Sequence, residues 1–293
     1  MDRVITTGPK TAYLKIAEGC SNKCTYCAIP YIRGKHVSRK MEDILEEAKM
    51  LADKGIEEVI VIAQDTTKYG IDLYNEYKLP ELLTKLSKID GFKWIRFLYS
   101  YPESITDELI KVVKENDKIC KYFDIPMQHF ADGVLKRMNR KSNSVSIENT
   151  INKIREEIPN VILRTTFIVG FPGETEEDFF ELYEFVNRAK FEKLGAFKYS
   201  KEEGTPAARL KEQIHLLYFL RTFSKHIVLK KKSIWSSGKY TVFQLLLVKP
   251  FACKFYSLLP TLVQTIQNGS HLMLRKELVQ VLNLLCACQV LHH

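Results

Sequence analysis

The segment Glu18-Gly19-Cys20-Ser21-Asn22-Lys23-Cys24-Thr25-Tyr26-Cys27 places three cysteines close together, directly after the apolar run Ala12–Ile16. The spacing is C-x-x-x-C-x-x-C on a loop that follows a predicted strand. It supplies three thiolates, one fewer than a closed four-thiolate iron–sulfur or structural zinc site uses. Three ligands would leave one iron of a 4Fe–4S cube open to another molecule. The sequence therefore predicts that Cys20, Cys24 and Cys27 hold a reactive metal cluster.

Two other interpretations of the three cysteines stay open at this stage. A zinc ion could take His36 as its fourth ligand, but structural zinc sites favour paired C-x₂₋₄-C and H-x₃₋₅-H groups. His36 lies well beyond the last cysteine, past Pro30 and Gly34. The other interpretation is a set of buried, unreactive thiols. The rest of the cysteines have no ligand-like neighbours and are interpreted as incidental thiols: Cys120, Cys253, Cys286 and Cys288.

Strand-like and helix-like segments alternate from Thr11 to Ser200. The strand candidates are short, rich in β-branched or aromatic residues and almost continuously apolar, as is typical of strands buried on both faces. They are Ala12–Ala17, Glu58–Gln64, Trp94–Ser100, Tyr122–Gln128, Val161–Gly170 and Leu194–Tyr199.

Helices with recognisable starts lie between these strands. Ser38 is predicted to begin a helix that carries an apolar stripe and ends before Gly55, and Thr106 to begin another. Thr175 with Asp178 resembles a capping box. Six β/α units in series predict an α/β fold with a parallel sheet, curved into a partial (β/α)6 barrel. Functional groups in such sheets gather at the carboxyl ends of the strands.

The charge distribution divides the chain into a predicted core, residues 8–210, and a C-terminal extension, residues 211–293. Residues 1–210 carry 33 basic and 33 acidic side chains, so the whole net charge of +9 belongs to the extension. This distribution argues against a nucleic-acid partner for the core. The extension is basic and poorly patterned. It is either a small helical appendage or sequence never selected to fold, such as a frameshift product.

The cellular location is predicted from the cysteines and the N-terminus. Seven cysteines, three of them clustered, do not resemble a secreted disulfide framework, and the N-terminus shows no apolar signal stretch. The longest apolar region, residues 243–266, is interrupted by charged residues and proline, which argues against a membrane span. A reducing cytoplasm is therefore the expected compartment.

Several polar, aromatic and glycine residues at the predicted strand ends are candidate ligand contacts. Tyr26 could pack or support an adenine ring, since aromatic faces stack bases well. The turn Gly170–Glu174 could bring backbone N–H groups to an anion, or could be only a tight strand-to-helix connection. A charge on a buried strand needs a partner, so Arg164 should face a carboxylate of the site or of a ligand. The candidates are Tyr26, Gln64, Gln128, Arg164, Gly170, Gly173 and Glu174.

Taken together, the motifs resemble the methylthiotransferase branch of the radical S-adenosylmethionine (SAM) enzymes. The resemblance covers residues 8–214. It rests on the cysteine triplet with its aromatic Tyr26 and on four further segments: Ala12–Gly19, Ile29–Gly34, Val169–Thr175 and Glu203–Ala207.

Within that branch, Ala63–Asp72 and Ile125–His129 resemble the members that modify an aspartate of a small-subunit ribosomal protein. The tRNA-modifying members have a Gly-Gln-Asn type of second-strand ending, and Gln-Ser where this chain has Gln128-His129. The resemblance implies that the three cysteines hold a 4Fe–4S cluster whose open iron binds SAM. It also implies that the reduced cluster cleaves SAM to a radical that removes hydrogen from the aspartate β-carbon, with an electron donor such as flavodoxin or ferredoxin. The strand ends would line the SAM pocket, with Tyr26 near the adenine.

Members of the branch also carry an N-terminal auxiliary-cluster domain and a C-terminal barrel, and neither is recognisable in this sequence. We therefore expect cluster binding and SAM cleavage to survive in this chain, and methylthiolation to be lost. Three functions stay open at this stage. They are ribosomal-protein methylthiolation, tRNA adenosine methylthiolation, and a non-catalytic iron–sulfur-binding fragment.

Overall fold

Six parallel strands in two groups of three form the framework of this computed structural model, which describes residue 5 and residues 7–214. The first sheet has the order β1-β4-β5 and the second β6-β7-β8. A parallel bridge between Ile95 and Ile119 continues the first sheet toward the second, and Ser100 N donates to Asp124 O at 2.8 Å. The predicted partial α/β barrel is confirmed.

The elements alternate along the chain as the sequence predicts. The strands are β1 Thr11–Lys15, β2 Ala17–Glu18, β3 Val37–Ser38, β4 Glu58–Ile62, β5 Trp94–Phe97, β6 Tyr122–Gln128, β7 Ile162–Val169 and β8 Lys193–Lys198. The helices are α1 Ile29–Arg33, α2 Met41–Asp53, α3 Leu79–Ser87, α4 Asp107–Glu115, α5 Asp132–Arg137, α6 Ser144–Glu157 and α7 Glu176–Ala189. Two 3₁₀ turns cover Pro102–Ser104 and Pro206–Arg209.

Two predicted boundaries are wrong for reasons that concern the site. The first predicted strand divides at Ile16, because Ala17 and Glu18 leave β1 and pair antiparallel with β3. Ser38 does not begin α2. Its Oγ donates to Asp72 at 2.5 Å and accepts from Gly70 N at 3.0 Å, and α2 begins after Lys40 without a side-chain cap. The caps predicted at Thr106 and at Thr175 with Asp178 are confirmed.

The helices cover one face of the sheets, and the main core lies between them. Burial alternates along β1 and β7, so the expectation of strands buried on both faces is wrong for these two. On the opposite face Tyr13 is 42% exposed and Trp94 53%. Within the described part of the chain, no helix is long and apolar enough to cross a membrane. The predicted extension lies outside the described residues from residue 215 onward, as do Cys253, Cys286 and Cys288.

Candidate functional site

The cysteine loop, residues 20–27, follows β2 at the carboxyl end of β1. Cys20 and Cys24 are buried and Cys27 is half-buried. Cys27 N donates to Cys24 O at 3.1 Å, and Cys20 N donates to Gly34 O at 3.1 Å. Burial raises the pKa of the Cys20 and Cys27 thiols. The loop therefore presents three thiols from a folded backbone.

Gly19 gives the cysteine loop its direction. Its φ is +72°, a conformation that L-residues other than glycine rarely adopt. A Cβ at this position would lie 2.1 Å from Lys35 O and 2.7 Å from Gly34 O. Backbone approaches this close exclude any side chain at residue 19.

Two distant segments hold the cysteine loop from the other side. Thr25 Oγ1 donates to Arg137 O at 2.8 Å, Thr25 N donates to Met138 O at 3.1 Å, and Asn139 Nδ2 donates to Lys23 O at 2.7 Å. Ala207 N donates to Thr25 O at 2.9 Å. The end of α5 and the turn at residues 206–209 thus fix the loop, and no local sequence pattern predicts either contact.

The end of β4 contacts the cysteine loop directly. Asn22 Nδ2 donates to Asp65 Oδ2 at 2.8 Å, and Lys68 Nζ donates to Asn22 Oδ1. Gln64 Nε2 lies 3.5 Å from Glu18 Oε1, whereas Gln64 Oε1 is buried with no hydrogen-bond partner. A buried acceptor without a partner is costly, so Gln64 is suited to meet a ligand donor.

The chain leaves β5, β6 and β7 through residues with positive φ. These are Tyr99 at 61°, Gln128 at 73° and Gly170 at 73°. For the two non-glycine residues this conformation costs roughly 1–2 kcal/mol each. Such strain is concentrated at functional sites. Ser100 Oγ, next to Tyr99, is buried without a partner.

The glycine loop, residues 170–174, packs beside the cysteine loop. The Tyr26 and Phe171 rings meet edge-on with centroids 6.5 Å apart, and burial raises the Tyr26 pKa. Tyr26 therefore packs within the protein, which is one of the two roles predicted for it. Its contact with adenine stays a prediction.

The backbone of the glycine loop is largely engaged within the protein. Phe171 N donates to Glu174 Oε2 at 2.9 Å, and Glu174 N donates to Phe171 O at 2.9 Å. Gly173 N donates to Glu212 O at 3.0 Å. The idea that these N–H groups are free for an anion is therefore wrong. The α7 start also carries acidic residues in its first turn. Glu174 is buried and faces His129 Nε2 at 3.7 Å, so it braces the loop.

Arg164 pairs with a carboxylate of this chain. Its Nη1 lies 3.3 Å from Asp124 Oδ1, on the partly exposed face of the sheets and toward the start of β7. Asp124 is 1% exposed, and burial raises its pKa, although Arg164 and the Tyr99 N–H act in the opposite direction. The partner of Arg164 is thus a carboxylate of the protein. Contact of Arg164 with SAM stays a prediction.

We expect replacement of Arg164 by leucine to reduce stability more at pH 8 than at pH 5. Without the guanidinium, the pKa of Asp124 rises further above its unfolded value. The folded state then binds more protons than the unfolded state in that window, so the variant regains stability as the pH falls. Urea unfolding at both pH values measures the difference. Arg164→Lys retains the positive charge, so its stability losses at pH 8 and pH 5 should differ less. Equal losses of stability at the two pH values in Arg164→Leu would contradict the argument.

Tyr101 and Arg140 also contact the cysteine loop, and sequence reasoning missed both. Tyr101 Oη lies 3.1 Å from Cys24 Sγ, and Arg140 Nη1 lies 3.9 Å from the same sulfur. Tyr101 follows the end of β5, where the strand-end rule applied to β4 and β6 would have found it. No local pattern marks Arg140, which lies beyond α5.

The donor set that this loop offers a metal centre is the three thiols of Cys20, Cys24 and Cys27. Among the residues that the structure describes, no three His, Cys, Asp or Glu side chains converge closely enough to hold one metal ion. His36 Nε2 lies 3.2 Å from Ser38 Oγ, so this ring is bound within the β3 region. The zinc interpretation with His36 finds no support here. Thiols spread along one anchored loop match the ligands of an iron–sulfur cluster.

Comparison with known proteins gives one family. A profile of the Radical SAM superfamily matches residues 14–186. The ribosomal protein uS12 methylthiotransferase RimO of Alkaliphilus oremlandii is 71% identical over 214 residues, which are 73% of this chain and 49% of that protein. The RimO protein of Clostridioides difficile is 62% identical over 214 residues, 73% and 48% of the two chains. The chain spans about half the length of the curated relatives it matches.

Solved structures share the fold at low sequence identity. Coproporphyrinogen III oxidase HemN of Escherichia coli, described as a radical SAM enzyme, matches with a TM-score of 0.57 at 17% identity, over 76% of this chain and 53% of that one. The methyltransferase TsrM of Kitasatospora setae, with cobalamin and a [4Fe-4S] cluster bound, matches with a TM-score of 0.56 at 14% identity, over 67% and 38%. With the superfamily profile matched across more than half of its length and the partial barrel in place, the chain belongs to the radical SAM superfamily.

Proposed function

We propose that this chain is the radical SAM core of a RimO-type methylthiotransferase, which acts on the β-carbon of an aspartate in ribosomal protein uS12. The observation that carries the proposal is the 71% identity over 214 residues to a protein named for that activity. The superfamily profile, which matches residues 14–186, spans the cysteine loop and the strand ends from β1 to β7. The cofactors of such enzymes are a 4Fe–4S cluster and SAM.

Each predicted site residue would have a distinct role in binding the cluster or SAM. Cys20, Cys24 and Cys27 would hold the cluster, which supplies one electron to cleave SAM into methionine and a 5′-deoxyadenosyl radical. The partial barrel would exclude water from that radical and orient the cofactor. Gln64, with its buried unpartnered oxygen, would accept a hydrogen bond from SAM.

The other candidate contacts would surround the same molecule. Gln128 lies at a strand end held at positive φ, and Gly170 lies at the next strand end. Tyr26 would lie near the adenine. Gly173 and Glu174 would act through the shape of the glycine loop, since their N–H groups are already bonded. Arg164 would act from the partly exposed face of the sheets.

The test is transfer of deuterium from a labelled substrate. The chain is reconstituted anaerobically with iron and sulfide, reduced with dithionite, and mixed with SAM and a uS12 peptide deuterated at the aspartate β-carbon. Hydrogen abstraction requires only the radical, so sulfur insertion by another domain is not needed for the readout. Mass spectrometry of 5′-deoxyadenosine is expected to show the deuterium.

The alternatives give different results in the same assay. A peptide with alanine in place of the target aspartate should yield only unlabelled 5′-deoxyadenosine. Turnover stimulated by tRNA and not by the peptide would establish the tRNA adenosine methylthiotransferase. No 5′-deoxyadenosine from protein with a full cluster would establish the non-catalytic fragment. In the cell the electron would come from a donor of the flavodoxin or ferredoxin type.

A further inference from the structure

The sulfur of Cys24 lies beside polar side chains, whereas the sulfurs of Cys20 and Cys27 meet the backbone N–H groups of Asn22 and Ile29. Tyr101 Oη lies 3.1 Å from Cys24 Sγ, within hydrogen-bond range for sulfur. A tyrosine hydroxyl carries its proton at neutral pH and can either donate or accept a hydrogen bond. A thiolate bound to iron has no proton to give. In the loaded protein, therefore, the hydroxyl must be the donor and the Cys24 sulfur the acceptor.

Arg140 places a positive charge beside the same sulfur. Its side chain is buried, with Nη1 3.9 Å from Cys24 Sγ and the guanidinium carbon 4.1 Å from the centre of the Tyr101 ring. Its Nη2 donates to Pro126 O at 3.1 Å, and its Nε is buried without a hydrogen-bond partner. Among the residues that the structure describes, no carboxylate lies within salt-bridge distance of Arg140, although the charge of Glu103 acts on it from farther away.

A buried charge is costly unless it is paired at close range, so Arg140 is suited to an anion bound at Cys24. An iron–sulfur cluster held by three thiolates carries net negative charge, which increases by one when the cluster is reduced. Hydrogen bonds to the sulfurs and the local charge are among the factors that set the reduction potentials of such clusters. A donor and a cation at one ligand sulfur both favour the more negative, reduced state.

We propose that Tyr101 and Arg140 are positioning residues for Cys24 that raise the reduction potential of the cluster. Tyr101 donates its hydroxyl to the sulfur, and its ring holds Arg140 in place. One electron enters the cluster from an external reductant of the flavodoxin or dithionite type. No bond is broken, and Tyr101 keeps its proton. The inference rests on the cluster of the proposed function.

The test is the midpoint potential of the reconstituted protein without SAM. Tyr101→Phe removes the donor and keeps the ring under Arg140. We expect the ratio of reduced to oxidised cluster at a fixed potential to fall about tenfold, which is a midpoint lower by about 59 mV for one electron. Arg140→Lys keeps a positive charge without the planar stack, and should lower the midpoint by a smaller amount. Potentiometric titration followed by electron paramagnetic resonance gives the midpoints.

Tyr122 provides the matched control, because Arg96 lies 4.8 Å over its ring in a similar stack away from the cysteine loop. Tyr122→Phe should leave the midpoint unchanged. An unchanged midpoint in Tyr101→Phe would overturn the proposal. So would a folded Tyr101→Phe protein that assembles no cluster, since that result would assign the residue to assembly. Failure of the unmodified chain to assemble a cluster would instead refute the proposed function.

Discussion

Replacement of Cys27 by alanine is expected to abolish both cluster assembly and the formation of 5′-deoxyadenosine. Cys27 is half-buried on the cysteine loop, and its loss leaves two thiolates for a cluster that needs three from the protein. Loss of an outer contact to a metal ligand costs about 10–100-fold, so loss of a ligand should exceed about a hundredfold. Iron analysis and chromatography of the reaction products after anaerobic reconstitution measure the two effects.

The matched control is Cys120→Ala. Cys120 is also half-buried, but it lies between α4 and β6, and its backbone bond to Ile95 does not depend on the thiol. Its replacement should leave iron content and product formation as they are. Retention of the cluster in the Cys27 variant, or its loss in both variants, would contradict the assignment of the three cysteines.

Gly19→Ala is expected to prevent cluster assembly without touching any ligand. The new Cβ would lie 2.1 Å from Lys35 O, and the atom it meets is backbone, which cannot rotate away. The positive φ of residue 19 adds roughly 1–2 kcal/mol. Backbone movement at this position displaces the start of the cysteine loop, so iron content should fall to background. The free energy of unfolding should fall by about 3 kcal/mol or more.

Gly55→Ala separates the clash from the backbone strain. Gly55 has a φ of +84° and no atom within 4 Å of a built Cβ. Its replacement should cost only the strain of the left-handed conformation, and the cluster should still assemble. Urea unfolding and iron analysis of both variants make the comparison. Similar iron contents in the two proteins would show that the cysteine loop tolerates displacement at residue 19.

The sequence was most informative where the deciding contacts are local. The cysteine spacing and the capping box of Thr175 with Asp178 each involve residues close along the chain, and the capping box is confirmed. The six strands follow from short apolar runs, and β6 has both predicted ends. These features need no knowledge of how the chain returns on itself.

The rest of the site depends on partners far apart in sequence. Ser38 carries the composition of a helix cap, but Asp72 occupies its side chain from a distant turn. Tyr101 and Arg140 reach Cys24 from other strand and helix ends. The glycine loop has the composition of an anion site, yet the Glu174 carboxylate of the loop itself accepts the hydrogen bond from Phe171 N. Such pairings follow from the path of the chain through the barrel, which no local pattern records.

The backbone hydrogen bond from Ala207 N to Thr25 O has a consequence for biosynthesis. Protein chains are made from the amino terminus, so the cysteines leave the ribosome long before residue 207 does. Contacts between distant residues form late, because a long loop must close first. Thr25 acquires its last backbone partner only when nearly the whole described core has been synthesised. Iron loading should thus follow completion of the barrel, and a nascent chain arrested before residue 207 should take up little iron.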